Sequence, residues 1–290
     1  MVALHVPVML EEVLEALNLK DHGVYVDGTL GTAGHAEALL KRVPKSTLIG
    51  FDIDDEALKI AKERLQGYRM HLLKENFSNI KAAVAELGYK EVNGIIFDLG
   101  LSMLQLQSPG RGFSFLKDEP LDMRMDIKQE LTAMKIVNTY SESELSKILW
   151  QYGEERFSRK IARSIVNIRR TMPIRTCREL SSIIERVIKR RGRIHPATRS
   201  FQALRIAVNR ELEALTKGID EGTQILSRGG RFCIVSYHSL EDRIVKNSYK
   251  KLASQRLLSI VTKKPIVPGR EEVIRNPSAR SAKLRVAERL

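Results

Sequence analysis

Asp27-Gly28-Thr29-Leu30-Gly31-Thr32-Ala33-Gly34-His35 is the stretch that decides how the rest of this 290-residue chain is read. A β-rich run leads into it and a helical pattern leaves it, which predicts a strand over Val24–Leu30 and a helix over Gly34–Arg42. A glycine-rich turn between a strand and a helix marks a place where backbone approaches a ligand closely. Gly28, Gly31 and Gly34 follow the spacing Gly-x-x-Gly-x-x-Gly, not the Gly-x-Gly-x-x-Gly of dinucleotide sites. Asp27 stands directly before the first of them. A carboxylate there repels a pyrophosphate and attracts an ammonium. The turn therefore favours S-adenosylmethionine, which has an ammonium and a sulfonium and no phosphate, over NAD.

Outward from this turn the pattern repeats. Strands are predicted at Thr47–Asp52, Met70–Leu73 and Asn93–Asp98, with helices over Asp55–Leu65 and from a cap at Ser78 to about Gly88. Repeated βα units of this length imply an α/β fold with a mostly parallel, doubly wound sheet. Asp52 and Asp98 end the second and fourth strands, where ligands of open parallel sheets bind; Asp52 is placed to accept bonds from ribose hydroxyls. Each acid alone is as readily a cap or turn former, but three at successive strand ends point to one crevice. Phe77, beyond the third strand, reads either as an adenine-stacking ring or as core.

Between about Gly110 and Asn209 no strand is evident. Ile161, Ile165 and Ile168 form one helical stripe, and Leu180, Ile183, Ile184, Val187 and Ile188 another. Then a helix over Glu211–Leu226, a Gly229-Gly230 turn and a strand over Arg231–Tyr237 resume the α/β theme, with a closing β-rich run at Leu284–Ala287. The expected organisation is one nucleotide-type domain from residues 1–109 and 210–290, with a helical domain, 110–209, inserted in it.

Composition narrows the partner. No apolar run approaches the roughly 20 residues needed to cross a bilayer, and Glu11, Glu12 and Glu15 do not suit a signal peptide. Cys177 and Cys233, without metal-ligand spacing, fit a reducing cytoplasm and neither disulfides nor a metal site. Of the net charge of +14, an equal excess lies between Arg156 and Arg210, where 16 Lys and Arg face only Glu179 and Glu185. A second basic stretch, Lys246–Leu290, has 12 cations and three acids. Such segregation over apolar-periodic sequence fits a polyanion, most simply nucleic acid; a solvated helical surface is the plainer alternative.

At a finer level the chain resembles the bacterial 16S ribosomal RNA cytosine-N4 methyltransferases. The resemblance runs nearly end to end, through His5-Val6-Pro7-Val8-Met9, Asp27-Gly28-Thr29 with Gly34-His35, Asp98-Leu99-Gly100, Arg111-Gly112-Phe113-Ser114-Phe115 and Pro120-Leu121-Asp122-Met123-Arg124-Met125-Asp126. It continues through Tyr152-Gly153-Glu154-Glu155-Arg156-Phe157, His195-Pro196-Ala197-Thr198-Arg199-Ser200-Phe201-Gln202-Ala203, His238-Ser239-Leu240-Glu241-Asp242-Arg243 and Asn276-Pro277-Ser278-Ala279-Arg280-Ser281. It implies a class I S-adenosylmethionine methyltransferase fold, cofactor contacts at Ala33, Gly34, His35, Asp52, Phe77, Asp98 and Gln105, and methylation of a decoding-centre cytosine (position 1402), within the small ribosomal subunit. Two departures stand out. The family usually has Gly where this chain has Ala33, and Val-Ser-Ser-x-Gln-Leu-Asp where this chain reads Leu101-Ser102-Met103-Leu104-Gln105-Leu106-Gln107.

The amine of cytosine is a poor nucleophile because its lone pair is delocalised into the ring, so transfer needs in-line placement and an acceptor on the amine. No Asp/Asn/Ser-Pro-Pro-aromatic motif follows the fourth strand. Asp98 and Ser102 occupy that loop, and His238 follows a later strand; Asp98 and His238 are the catalytic candidates, each with a structural alternative. Phe113 and Phe115 read as base-stacking rings or as core. Leu204, Val208, Leu212, Met123 and Met125 read as packing.

Overall fold

The computed structural model describes residues 7–189 and 194–290; His5, Val6, Arg190, Arg191 and Arg193 of the segments above lie outside the described residues. The strands are β1 (Val24–Asp27), β2 (Thr47–Asp52), β3 (Arg69–Lys74), β4 (Val92–Asp98), β5 (Leu226–Ser236), β6 (Leu258–Ile260) and β7 (Lys283–Arg289). The helices are α1 (Leu10–Ala16), α2 (Gly34–Arg42), α3 (Asp55–Arg64), α4 (Ile80–Glu86), α5 (Met103–Gln107), α6 (Ala133–Thr139) and α7 (Glu142–Gly153). They continue with α8 (Ser158–Arg169), α9 (Cys177–Val187), α10 (Thr198–Asn209), α11 (Glu211–Ile225), α12 (Ser239–Ser254) and α13 (Arg270–Arg275). Two units result, one of residues up to Ser102 together with Leu212–Leu290, the other Met103–Glu211.

The first unit holds a seven-stranded sheet in the order β3-β2-β1-β4-β5-β7-β6, with β7 antiparallel to both its neighbours and the other pairs parallel. This is the class I S-adenosylmethionine methyltransferase arrangement. Its strands are apolar at consecutive positions because both faces are covered. Ile95, Phe97, Phe232 and Ile234 pack to one side with residues of α4, α11 and α12, while Ile96, Cys233 and Val235 pack to the other with α1 and α2. β1 lies between β2 and β4, so the connections leave in opposite directions and a crevice opens beyond its carboxyl end.

Some expected boundaries move. β1 stops at Asp27, although Gly28 and Leu30 still donate to the carbonyls of Ile96 in β4 and Phe51 in β2 at 2.9 Å each. Ser78 is not the cap: Asn76 accepts from the Ser78 N–H at 2.9 Å and starts a 3₁₀ turn, Phe77–Asn79, that feeds α4. Gly229-Gly230 lies inside β5, not before it. The register passes from Val92↔Leu226 to Gly94↔Arg231, so residues 227–230 bulge opposite Asn93, and Gly229 takes φ +71°.

The second unit is helical. Thr176 and Glu179 form a capping box at the start of α9, as Ser141 and Glu144 do for α7. Ile161 and Ile165 are buried with Ile168 half-buried, and Leu180, Ile183 and Ile184 are buried with Val187 and Ile188 half-buried. Leu204, Val208 and Met123 are core; Leu212, in the first unit, and Met125 are half-buried. The Arg111–Phe115 and Pro120–Asp126 segments fold onto each other. Gly112, at φ +70°, leaves no room for a Cβ, which would stand 2.3 Å from the Pro120 carbonyl oxygen. The Arg111 guanidinium donates to the carbonyls of Arg124 and Met125, and Asn209 accepts from the Met125 N–H at 2.8 Å. Phe113 is buried, and Phe115 is stacked on His195 at 4.5 Å and edge-on to Phe201. Both rings are thus taken up inside the unit, the packing alternative of the two considered. No helix among the described residues is long and apolar enough to cross a membrane.

Candidate active site

The turn after β1 is shaped by three glycines used in different ways. A Cβ on Gly28 would stand 2.3 Å from the Phe97 ring, and one on Gly34 would stand 2.4 Å from Cγ of Pro7. Both are places of close approach. Gly31 instead takes φ +51°, where a Cβ would meet only ordinary contacts, the Thr29 carbonyl oxygen at 3.9 Å and Ser102 Cβ at 4.0 Å. Ala33, at φ 63° and ψ 32°, holds the left-handed conformation that the family's glycine adopts freely; for an L-residue this costs about 1–2 kcal/mol. From here α2 begins.

Three strand-end acids converge on this turn. The Asp27 carboxylate accepts from the Thr29 N–H at 3.1 Å. Asp52 accepts from the Gly31 N–H at 2.8 Å and the Asp54 N–H at 2.9 Å. Thr29 ties in the third, its hydroxyl accepting from the Asp98 N–H at 2.6 Å. Asp27 is 2% exposed, and burial lifts its carboxyl to about 6, aided by the charges of Asp98 and Asp52 and opposed by His35. Burial lifts Asp52 to about 6 as well. Neither Asp27 nor Asp52 pairs with a Lys or Arg among the described residues. A buried carboxylate without a counter-ion, as Asp27 is, is what a cationic ligand completes.

His35 opens α2 and is buried. Its Nε2 lies 3.1 Å from the Val8 carbonyl, which can only accept, so that nitrogen carries the proton. Burial holds the ring below the ordinary histidine range, and the neutral ring turns Nδ1 toward Asp98 Oδ2 at 3.6 Å. The other Asp98 oxygen accepts from the Tyr237 hydroxyl at 2.7 Å. Burial, then the charge of Asp98, pushes the Tyr237 phenol well above 10, so it remains a donor. Gly100, φ +109°, gives that ring its space, since a Cβ there would meet it at 3.3 Å.

The remaining candidates divide. Phe77 packs on Phe97 at 4.5 Å between ring centroids and lies against Gly218, the core reading, although it is only half-buried. His238 caps α12: its Nδ1 accepts from the Glu241 N–H at 3.3 Å, and its buried Nε2 lies 3.1 Å from Glu241 Oε1. The ring is thus engaged by its own helix through Nδ1, while its buried Nε2 makes no hydrogen bond among the described residues. Gln105 is buried on α5 and belongs to the helical unit. Sequence reasoning missed Tyr237 and also Glu272, whose carboxylate accepts from the Met9 N–H at 2.6 Å and whose charge is felt by both His35 and Tyr237. Among the described residues, no group of three or more His, Cys, Asp or Glu is placed to hold a metal ion.

The model of the MraW methylase family matches residues 2–290. The chain belongs to that family. It is accordingly an S-adenosylmethionine-dependent methyltransferase, and the acid-lined crevice has the chemistry that this cofactor requires. Among curated relatives, a "Ribosomal RNA small subunit methyltransferase H" of Persephonella marina is 49% identical over 292 residues, covering 99% of each chain. One of the same description from Clostridioides difficile is 46% identical over 307 residues, again with 99% of each chain covered. For the methylase, the strand-end acids were visible as sequence. Tyr237 was not, since it meets Asp98 across 139 residues; the one available signal was its place at the end of a strand neighbouring β4.

Proposed function

We propose that this methylase transfers the methyl group of S-adenosylmethionine to the exocyclic N4 of the decoding-centre cytosine of 16S ribosomal RNA, position 1402, acting in the cytoplasm on the small ribosomal subunit and without a metal. The observation that carries the substrate is the description shared by relatives 46–49% identical along 99% of the chain. In support, the helical unit exposes Arg156, Arg159, Lys160, Arg163, Arg170, Arg175, Arg178, Arg186 and Lys189, a surface suited to phosphates.

In this reading the α/β unit, residues up to Ser102 together with Leu212–Leu290, is the cofactor domain, and Met103–Glu211 is the substrate-recognition domain, close to the 1–109, 210–290 and 110–209 expected from the sequence. When bound, the cofactor supplies an electrophilic methyl on a sulfonium. Asp27 and the turn Gly28, Gly31, Ala33, Gly34 and His35 would hold its amino-acid end, Asp52 its ribose hydroxyls, and Phe77 would border the adenine. Asp98 stands at the reacting end, where its carboxylate accepts a hydrogen bond from the amine and draws the nitrogen lone pair out of the ring. Tyr237 holds that carboxylate, and His238, by capping α12, holds the turn that presents Tyr237. The target base must be unstacked to reach the methyl.

The test is nucleoside mass spectrometry of small-subunit RNA from cells with and without the gene, repeated with purified protein on assembled subunits. Loss of N4-methylcytidine in the deletion and its restoration in vitro are expected. An unchanged nucleoside profile would sink the assignment.

A further inference from the structure

The helical unit carries a groove that methyl transfer does not use. It encloses about 410 Å³ between the end of α8, the turn after it and α9, and is floored by Ile168, Met172, Pro173 and Ile183. Met172 is 57% exposed, so part of an apolar floor is left open to water. The volume lies in the range of about 300–1,000 Å³ typical of pockets that hold one small molecule or one nucleotide. A volume of this size suits one small occupant better than the row of anchors that a docked helix presents.

The rim gives the occupant its charge. Arg178, Ser182 and Arg186 line the groove from successive turns of α9, and the two arginines are about 12 Å apart along the helix. Both are exposed, and neither forms an ion pair among the described residues. Two acids line the groove as well: Glu179, whose carboxylate is taken up by the Arg175 and Thr176 N–H groups, and Asp118, which is exposed and in no ion pair among those residues. A carboxylate opposes phosphate binding, but it is the natural acceptor for an exocyclic amine of a nucleobase.

We propose that this groove receives one unpaired nucleotide of the RNA substrate other than the methylated cytosine. Its base lies on the apolar floor with an amine on Asp118, and the flanking phosphates lie on Arg178 and Arg186. The inference rests on the RNA-methylation reading above.

Fluorescence anisotropy with the full-length protein and labelled single-stranded RNA tests it, alongside S-adenosylmethionine affinity and thermal unfolding as controls. Ser182→Trp fills the hollow from a half-buried ridge position. RNA affinity is expected to fall about tenfold or more with both controls unmoved, and an abasic nucleotide placed at the critical position in the wild type should reproduce the loss. Asp118→Asn should remove a preference for amine-bearing bases over uridine. Should Ser182→Trp fail to fold, Met172→Asp carries the same expectation from an exposed position. Unchanged RNA affinity in the filled variant overturns the proposal. So does weakened binding to assembled subunits with free RNA unaffected, which would make the occupant a protein. Wild-type protein that binds RNA in a Ser182→Trp-sensitive manner yet methylates none overturns the function and leaves the groove standing.

Discussion

The two units use charge in opposite regimes. In the α/β unit Asp27 is buried at one strand end, to 2% exposure, and Asp52 half-buried at another, and low polarity lifts both toward neutrality. In the helical unit many cations stand in water, where each keeps its full charge, is screened by salt and contributes little alone. One surface is selective and pH-sensitive. The other is additive and salt-sensitive. A single figure of +14 for the chain conceals both.

That contrast can be broken by experiment. The largest effect is expected from Asp98→Ala, which should lower single-turnover methyl transfer by about 100-fold or more; a rate within threefold of wild type would remove Asp98 from the chemistry. Next is Tyr237→Phe, which deletes the 2.7 Å bond to Asp98. A hydrogen bond to a charged group justifies about a tenfold loss in kcat, with KM for RNA unchanged; an effect on KM alone would make Tyr237 a binding residue.

The pH response should split. Asp27 and Asp52 are raised to about 6 in the fold from 3.8, so their contribution to stability is complete below the unfolded value and is lost as pH rises through about 6. The ligand-free protein should therefore gain about 1 kcal/mol per carboxyl between pH 7 and 5. S-adenosylmethionine affinity, which needs the carboxylates ionised, should weaken over the same interval by up to about tenfold per group. Calorimetry at both pH values checks the two opposed trends, and parallel trends would show that the acids do not meet the cofactor. The smallest effect belongs to the helical unit: Arg159→Gln or Arg170→Gln should reduce the salt dependence of RNA binding by about one unit of log–log slope. A change in cofactor affinity instead would dissolve the division of labour.

How far the sequence reaches follows from the range of each interaction. The glycine turn, Asp52 and Asp98 were readable because strand, turn and helix periodicities are local, and their convergence follows from parallel topology. The capping error at Ser78 arose because Asn76 and Ser78 both suit a cap and only the backbone path separates them. The bulge at Gly229-Gly230 looks like a turn in one dimension, since the strand it interrupts is defined by β4. Tyr237 and Glu272 gain their roles only from partners far along the chain. Phe113 and Phe115 carried two readings, and only tertiary packing, with His195 and Phe201 around the second ring, separates them.

The place of β7 between β5 and β6 has a consequence for synthesis. Strands β1 to β4 leave the ribosome long before β5, so β4 waits with one open edge while the whole helical segment is made. The helical unit draws on a continuous run of chain and can form while the polypeptide is still growing. The sheet cannot: its interior position beside β5 is filled by the strand translated after all the others. The crevice that holds the acids, where Tyr237 meets Asp98, therefore takes its final form late. Truncations within 283–289 should leave a folded helical unit attached to an unfinished enzyme.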